Sequence, residues 1–177
     1  MGTQLIARSE LITFRPSTEA DLDFVVQNEH DAGNIGFISQ WPREQHQQTL
    51  LDLTIAHWII EANLDGRRVG HLIARGVGMP DRVIEFKRIA ISSAEHGHGF
   101  GRGAVRLLKR VSFEEWNAHR LWLDVMEHNT VAQRLYLSEG FIKEGMLRES
   151  LKRGGQYVSL LLMSILEHEY FSKDPLF

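Results

Sequence analysis

The chain has 177 residues, a formal net charge of -3, 43% hydrophobic and 24% charged residues, and no cysteine. That is the size of one domain, here residues 1–177, and it holds enough apolar material for a core without disulfide staples. The mild acidity argues against a dedicated nucleic-acid binder, and the lack of cysteine excludes disulfides, thiolate catalysis and cysteine-ligated zinc.

No apolar run nears the roughly 20 residues of a membrane span. Met1 to Glu10 lacks the basic-then-apolar pattern of a secretion signal. A cytoplasmic protein with no membrane partner is expected.

In chain order, Leu11–Pro16 reads as a short strand stopped by a residue that cannot donate into a ladder. Thr18 and Asp21 stand at capping-box spacing before a helix with Leu22, Val25 and Val26 on its buried stripe. Asp31–Trp41 mixes turn formers with large apolar groups, which suits either a binding loop in which Phe37 and Trp41 meet a substrate or a loop that tucks its aromatics into the core. Pro42 opens a second helix through Asp52. His57–Ala62 and Arg68–Ala74 flank an Asp-Gly hairpin signal, and Val83–Ile91 is the third strand of a meander.

That strand runs into Gly97-His98-Gly99-Phe100-Gly101-Arg102-Gly103, where four of seven residues are glycine, and then into a helix to about Ala118 with Ala104, Leu107, Leu108 and Val111 on one face. Glycines let backbone approach a ligand, and the free N–H groups of a first helical turn favour an anion. A phosphate or pyrophosphate is the expected ligand. Arg120–Val125 follows by crossover as a parallel strand. Asn129 caps a further helix that Gly140 ends, and Phe141–Met146 pairs with Tyr157–Ser164 across Gly154-Gly155.

Gly99 to Ala104 also satisfies G-x-G-x-x-A, with Asp124 where a ribose-binding acid would stand, but the meander ahead of it is foreign to a dinucleotide-binding oxidoreductase. His96 and His98, two histidines across one glycine without an identifiable third ligand, make a poor zinc site, and the other histidines are scattered; no metal is expected.

Two motifs, His96-Gly97-His98-Gly99-Phe100-Gly101 and Asn129-Thr130-Val131-Ala132-Gln133-Arg134-Leu135-Tyr136 running into Gly140-Phe141, resemble the GNAT superfamily of acyl-CoA-dependent N-acyltransferases. The family pattern opens with Gln or Arg where this chain has His96. The order of elements suits the RimJ/RimL-like branch, beside polyamine and antibiotic acetyltransferases. The resemblance implies an α/β (α+β) fold: one domain with a mixed, mostly antiparallel twisted sheet of about six to seven strands, a splayed central parallel pair and about four helices.

It further implies acetyl-CoA as co-substrate and direct transfer to a primary amine of a small molecule or a protein N-terminus. Ile89, Ala90 and Ile91 would pair with the pantetheine arm. Amides from His96 through Gly103 would hold the pyrophosphate, with Arg102 as a side-chain donor, and Asn129 would cap while meeting the cofactor. Tyr136 would protonate the departing thiolate; a phenol with an ordinary pKa near 10 can donate at neutral pH. Glu85 would accept the amine proton and meet the substrate, on the face that alternation assigns to Lys87, Ile89 and Ile91. A cross-strand ion pair is the competing role for Glu85. A non-catalytic acyl-CoA sensor is the alternative function, and a homodimer is compatible with the sequence.

Overall fold

The computed structural model describes residues 7–172. One sheet runs through it, of eight strands: β1 (Ala7–Arg8), β2 (Ile12–Pro16), β3 (Ile55–Ala62), β4 (Arg68–Arg75), β5 (Val83–Ile91), β6 (Arg120–Met126), β7 (Ile142–Arg153) and β8 (Gln156–Leu166). Their spatial order is β1-β2-β3-β4-β5-β6-β8-β7. Five helices accompany it: α1 (Leu22–Glu29), α2 (Arg43–Thr49), α3 (Phe100–Arg110), α4 (Thr130–Ser138) and α5 (Glu167–Phe171). The expected counts of strands and helices were both short. The two-residue β1 is added by Ser9, whose N–H and hydroxyl both meet Ile12 O, and the five-residue α5 by Glu169, whose carboxylate accepts the Leu166 N–H at 2.8 Å.

All neighbouring strands pair antiparallel except β5 and β6, which pair in parallel over only Val83–Glu85 and Arg120–Trp122. Beyond that point the two strands run on to Ile91 and Met126 unpaired with one another. This is the splayed pair the resemblance implied. A parted ladder leaves backbone donors and acceptors free, and these demand a partner.

The sheet has two unlike faces. Leu72, Ala74, Ile84, Phe86, Leu121, Leu123 and Val125 bury themselves against α3 and the turn after it, where Ala104, Leu107, Leu108 and Val111 are 0–2% exposed. Burial of side chains this size is worth roughly 1.5–3 kcal/mol each, and this face carries the fold. The other face meets α1 and α2, and its centre is polar.

A β-bulge on β5 decides which residues go where. Ile73 pairs with Arg88 and Ala74 with Phe86, so Lys87 is the extra residue. Side-chain facing reverses across such an insertion. Downstream, Ile89 and Ile91 lie opposite Leu72 and Gly70, on the α3 face. Upstream, Glu85 lies opposite Arg75, on the same face as His71 and its partner Ala90. The expectation that Glu85 shares a face with Ile89 and Ile91 is therefore corrected: simple alternation does not survive the bulge.

Candidate active site

A cleft of about 760 Å³ opens at the parting of β5 and β6, lined by both strands, the glycine loop, α4 and the segment 33–41. Its diphosphate-sized end is built by the chain before and at the start of α3. Gly97 and Gly99 take φ of 83° and 82°, a left-handed conformation that glycine alone adopts without strain. Gly99 is the N-cap of α3, so the N–H groups of Phe100, Gly101 and Arg102 start the helix without intrahelical acceptors. Gly103 is different. Its N–H donates to Gly99 O at 2.9 Å, and a Cβ there would touch Leu11 and Ile12. It is a packing glycine and not a ligand donor. Gly101 faces the cleft, where a Cβ would stand 3.9 Å from Ile91 and Leu135.

Three other expectations change at side-chain level. The Arg102 guanidinium is held by Glu139 and by Ser138 Oγ at 2.9 Å, so only its main chain remains for an anion. Glu139 also binds Arg106 at 3.0 Å and Lys109 at 3.6 Å, which fixes the end of α4 to α3. His96 lines the cleft, but its Nε2 meets Ile91 O at 2.9 Å, with Gly33 packed over the ring so closely that a Cβ would stand 2.8 Å away. His98 lies outside the cleft lining, near the Phe100 ring at 6.2 Å.

At the end of β5, Ser92 N donates to Val69 O at 2.9 Å. Residues two apart point their backbone groups the same way, so Ala90 also turns toward β4, while Ile89 and Ile91 turn theirs into the gap. Ala90 O additionally receives Asn28 Nδ2 at 2.8 Å, and Ile91 O receives Asn34 Nδ2 at 2.9 Å. Ile89 is left as the freest backbone group in the parting, and Ala90 is removed from the set that can meet a pantetheine arm.

Asn129 caps α4 by accepting Ala132 N–H at 3.2 Å and lines the cleft. One turn further, Ala132, Leu135 and Tyr136 face the same space. The Tyr136 ring packs on Phe86 and Phe141 at centroid distances of 6.0 and 5.7 Å and is 7% exposed. Burial, and then the negative charge of Asp124, push its phenol above its ordinary range.

Asp124 is the residue sequence reasoning passed over for this chemistry. Leu121, Leu123 and Val125 point into the core, so Asp124 projects from the other face of β6 into the cleft. Burial, followed by repulsion from Glu85, raises its pKa, while Lys87 opposes the shift. Lys87 stands between the two carboxylates, 3.2 Å from Glu85 and 4.0 Å from Asp124. Glu85 itself does not line the cleft and also faces Arg75 at 3.8 Å. Its ion-pair role is the one the geometry displays. The signal for Asp124 was its position near the end of the strand after the cradle helix; only the dinucleotide pattern drew attention to it.

The segment 31–41 is tied down at both ends. Asp31 accepts Ser93 N at 2.9 Å, Arg153 Nη2 reaches Ile35 O at 2.6 Å, and Glu29 accepts Trp41 N at 2.8 Å. Phe37 and Trp41 both line the cleft. Behind Trp41 lies a buried network. Glu29 Oε1 faces Arg88 Nη1 at 2.5 Å and the Nε2 atoms of His46 and His71 at 3.3 Å each. His46 Nδ1 meets His57 Nε2 at 3.1 Å, and His57 Nδ1 meets Ser17 Oγ at 2.8 Å. Burial raises the Glu29 carboxyl, but the close approach of the His46 ring, the hydrogen-bonded His71 ring and the charge of Arg88 outweigh it and hold it well below the usual range. Burial and the two neighbouring rings push His57 down to about 3.

Among the described residues no group of three or more His, Asp or Glu is arranged to hold a metal ion, and no helix is long and apolar enough to cross a membrane.

A nest of amides at a helix N-terminus, opening onto a parted parallel pair with a buried phenol at its far wall, defines an acyltransferase that takes its acyl group from a coenzyme A thioester. Residues 23–141 match the acetyltransferase (GNAT) family, and the chain belongs to it: it is an acetyl-CoA-dependent N-acetyltransferase that acylates an amine. It is 26% identical over 169 residues to the spermidine N(1)-acetyltransferase of Escherichia coli K12, covering 92% of this chain and 89% of that one. An uncharacterized N-acetyltransferase of Mycobacterium tuberculosis is 36% identical over 86 residues, 47% of this chain and 51% of that one. In fold it resembles the spermidine N-acetyltransferase of Vibrio cholerae solved with CoA and spermine, with TM-score 0.82 and 23% identity over 93% of this chain and 100% of that one. These likenesses do not single out the RimJ/RimL branch.

Proposed function

We propose that the acceptor is the primary amine of a small molecule and that Asp124 and Tyr136 carry the protons. The observation behind this reading is that one cleft is lined by both, Asp124 from the polar face of the sheet and Tyr136 from the apolar side, with the cradle beside them. The relatives named for spermidine favour a small amine over a protein N-terminus.

The cradle amides hold the diphosphate of acetyl-CoA, and the pantetheine arm enters between β5 and β6. The neutral amine attacks the thioester carbonyl, forming the C–N bond. Its surplus proton passes to Asp124, directly or through water, and a raised carboxyl pKa makes it a better match for that transfer. The C–S bond then breaks, and Tyr136 gives its proton to the leaving thiolate. Its phenol is held protonated by burial and by the neighbouring carboxylate, and the second of these holds is released once Asp124 has taken up the amine proton. The phenolate regains a proton as Asp124 loses one, leaving amide and free coenzyme A. Glu85 acts at one remove, through Lys87 and the charge of Asp124.

Thiol release from acetyl-CoA on adding an amine panel tests the reading. Amine-dependent release that collapses in Tyr136→Phe supports it. Acetyl-CoA binding with no release for any amine would favour the sensor.

A further inference from the structure

We infer that the acceptor carries a single amine on an apolar, ring-sized body, and that the site is not built for a polyamine. This deepens the acetyltransferase reading and rests on it.

Charge comes first. The carboxylates lining the cleft are Glu95 and Asp124. Glu95 sits beside the cradle and is engaged by Arg67 Nε and Nη2, each at 2.9 Å, so it is spoken for by a guanidinium from outside. Asp124 is then the one carboxylate facing the acceptor, with Lys87 at 4.0 Å. Lys87 and Arg88 line the cleft beside it, each paired with a carboxylate outside the lining, Glu85 and Glu29. A substrate with two or three ammonium groups would find one anion for the reacting nitrogen, and neighbouring cations in place of anions for the others. Like charges at such distances repel, and an ammonium without a partner keeps its desolvation cost.

Shape points the same way. Phe37 is 41% exposed at the cleft wall with the His128 ring at 5.7 Å, and Trp41 lies on Arg88 with the guanidinium carbon 4.2 Å from the ring centre. Met126, Leu151 and Leu160 continue the lining. Two of the polar groups nearby are already engaged: the Asn34 amide by Asn28 O and Ile91 O, and Arg88 by Glu29. Among the described residues the cations that line the cleft, Lys87, Arg88 and Arg102, are each paired with a carboxylate. What remains is an apolar chamber with one carboxylate at the reacting end, which selects by burial of a hydrocarbon or aromatic body.

Steady-state thiol release by the full chain, with acetyl-CoA and either 2-phenylethylamine or spermidine, tests this. Phenylethylamine should have the higher kcat/KM by at least tenfold. Lys87→Glu, a partly exposed position, should raise the spermidine-to-phenylethylamine ratio several-fold, a readout that a general loss of rate leaves unchanged. Phe37→Ala should raise KM several-fold more for phenylethylamine than for ethylamine. Equal or greater kcat/KM for spermidine in the wild type overturns the proposal. Release with neither amine also overturns it, while a coenzyme A-induced rise in Tm would leave the acetyltransferase reading standing. Absence of that rise would sink the reading of the cleft itself, and the proposal with it.

Discussion

The α3 side of the central strands is hydrocarbon throughout, whereas the α1 and α2 side is centred on Glu29, three histidines and Arg88, all 0–5% exposed. Both are buried to the same degree. The first is insensitive to pH and to the identity of any one group beyond its volume. The second is held by charge and tautomer, and its terminal members, Arg88 and Trp41, are walls of the cleft. Stability resides on one face and the reaction's polar environment on the other. The gap between β5 and β6 is where they meet: Tyr136 comes from the apolar side and Asp124 from the polar one.

The largest effects should come from breaking that meeting. Tyr136→Phe keeps the contacts with Phe86 and Phe141 and removes one proton. We expect kcat to fall about 10²–10⁴-fold with acetyl-CoA affinity unchanged by calorimetry. Asp124→Asn should lose rate on a similar scale while gaining stability at neutral pH. The sign follows from the raised carboxyl pKa: the folded protein binds the extra proton, so the ionised form costs stability once pH exceeds that value. A less active Asn variant with a lower Tm would contradict the base assignment.

Next comes a stability contrast between the faces. Glu29→Gln strands Arg88 and should cost about 3–5 kcal/mol, against about 2–5 for Leu108→Ala on the apolar side. Chemical denaturation separates them by pH. The leucine variant should track the wild type, whereas the glutamine variant should converge on it in strong acid. Glu29 lies below its ordinary range, so its contribution is present at neutral pH and fades only as pH falls past the unfolded value toward the folded one. His57, at about 3, adds a second slope that begins at a higher pH. The unfolded chain takes up this proton near 6.5 and the folded one does not, so wild-type stability should decline from there downward.

The smallest effect sharpens the assignment most. Glu85→Gln should move the acid limb of the kcat/KM profile to lower pH, because Glu85 raises the Asp124 pKa. A proportional loss of rate at every pH would return the base role to Glu85.

The cradle, the Asn129 cap and the βαβ step could be read in the sequence because each is local. Gly97 and Gly99 are required by their own φ, and Asn129 caps the turn it begins. Glu29, His46, His57 and His71 come from four elements and are brought together by pairing among β3, β4 and β5 and by the packing of α1 and α2; their spacing in the chain carries no trace of it. The ion pair of Arg102 was hidden for a related reason, since its partner Glu139 stands 37 residues away. The facing of Glu85 was misread because alternation was carried across a bulge.

That bulge makes β5 a parity switch. Counting from Val83, odd positions before Lys87 and even positions after it serve the polar face. Deleting Lys87 alone would make Phe86 and Arg88 adjacent, still opposite Ala74 and Ile73, so every other residue of the strand would keep its face and the ladder would become regular. What would go is the local bend and the ammonium between Glu85 and Asp124. Deleting one of the paired residues, Phe86 or Arg88, instead leaves the following side chains to move to the bulge position or to the wrong face, so the strand should tolerate loss of the residue at 87 better than loss of either neighbour.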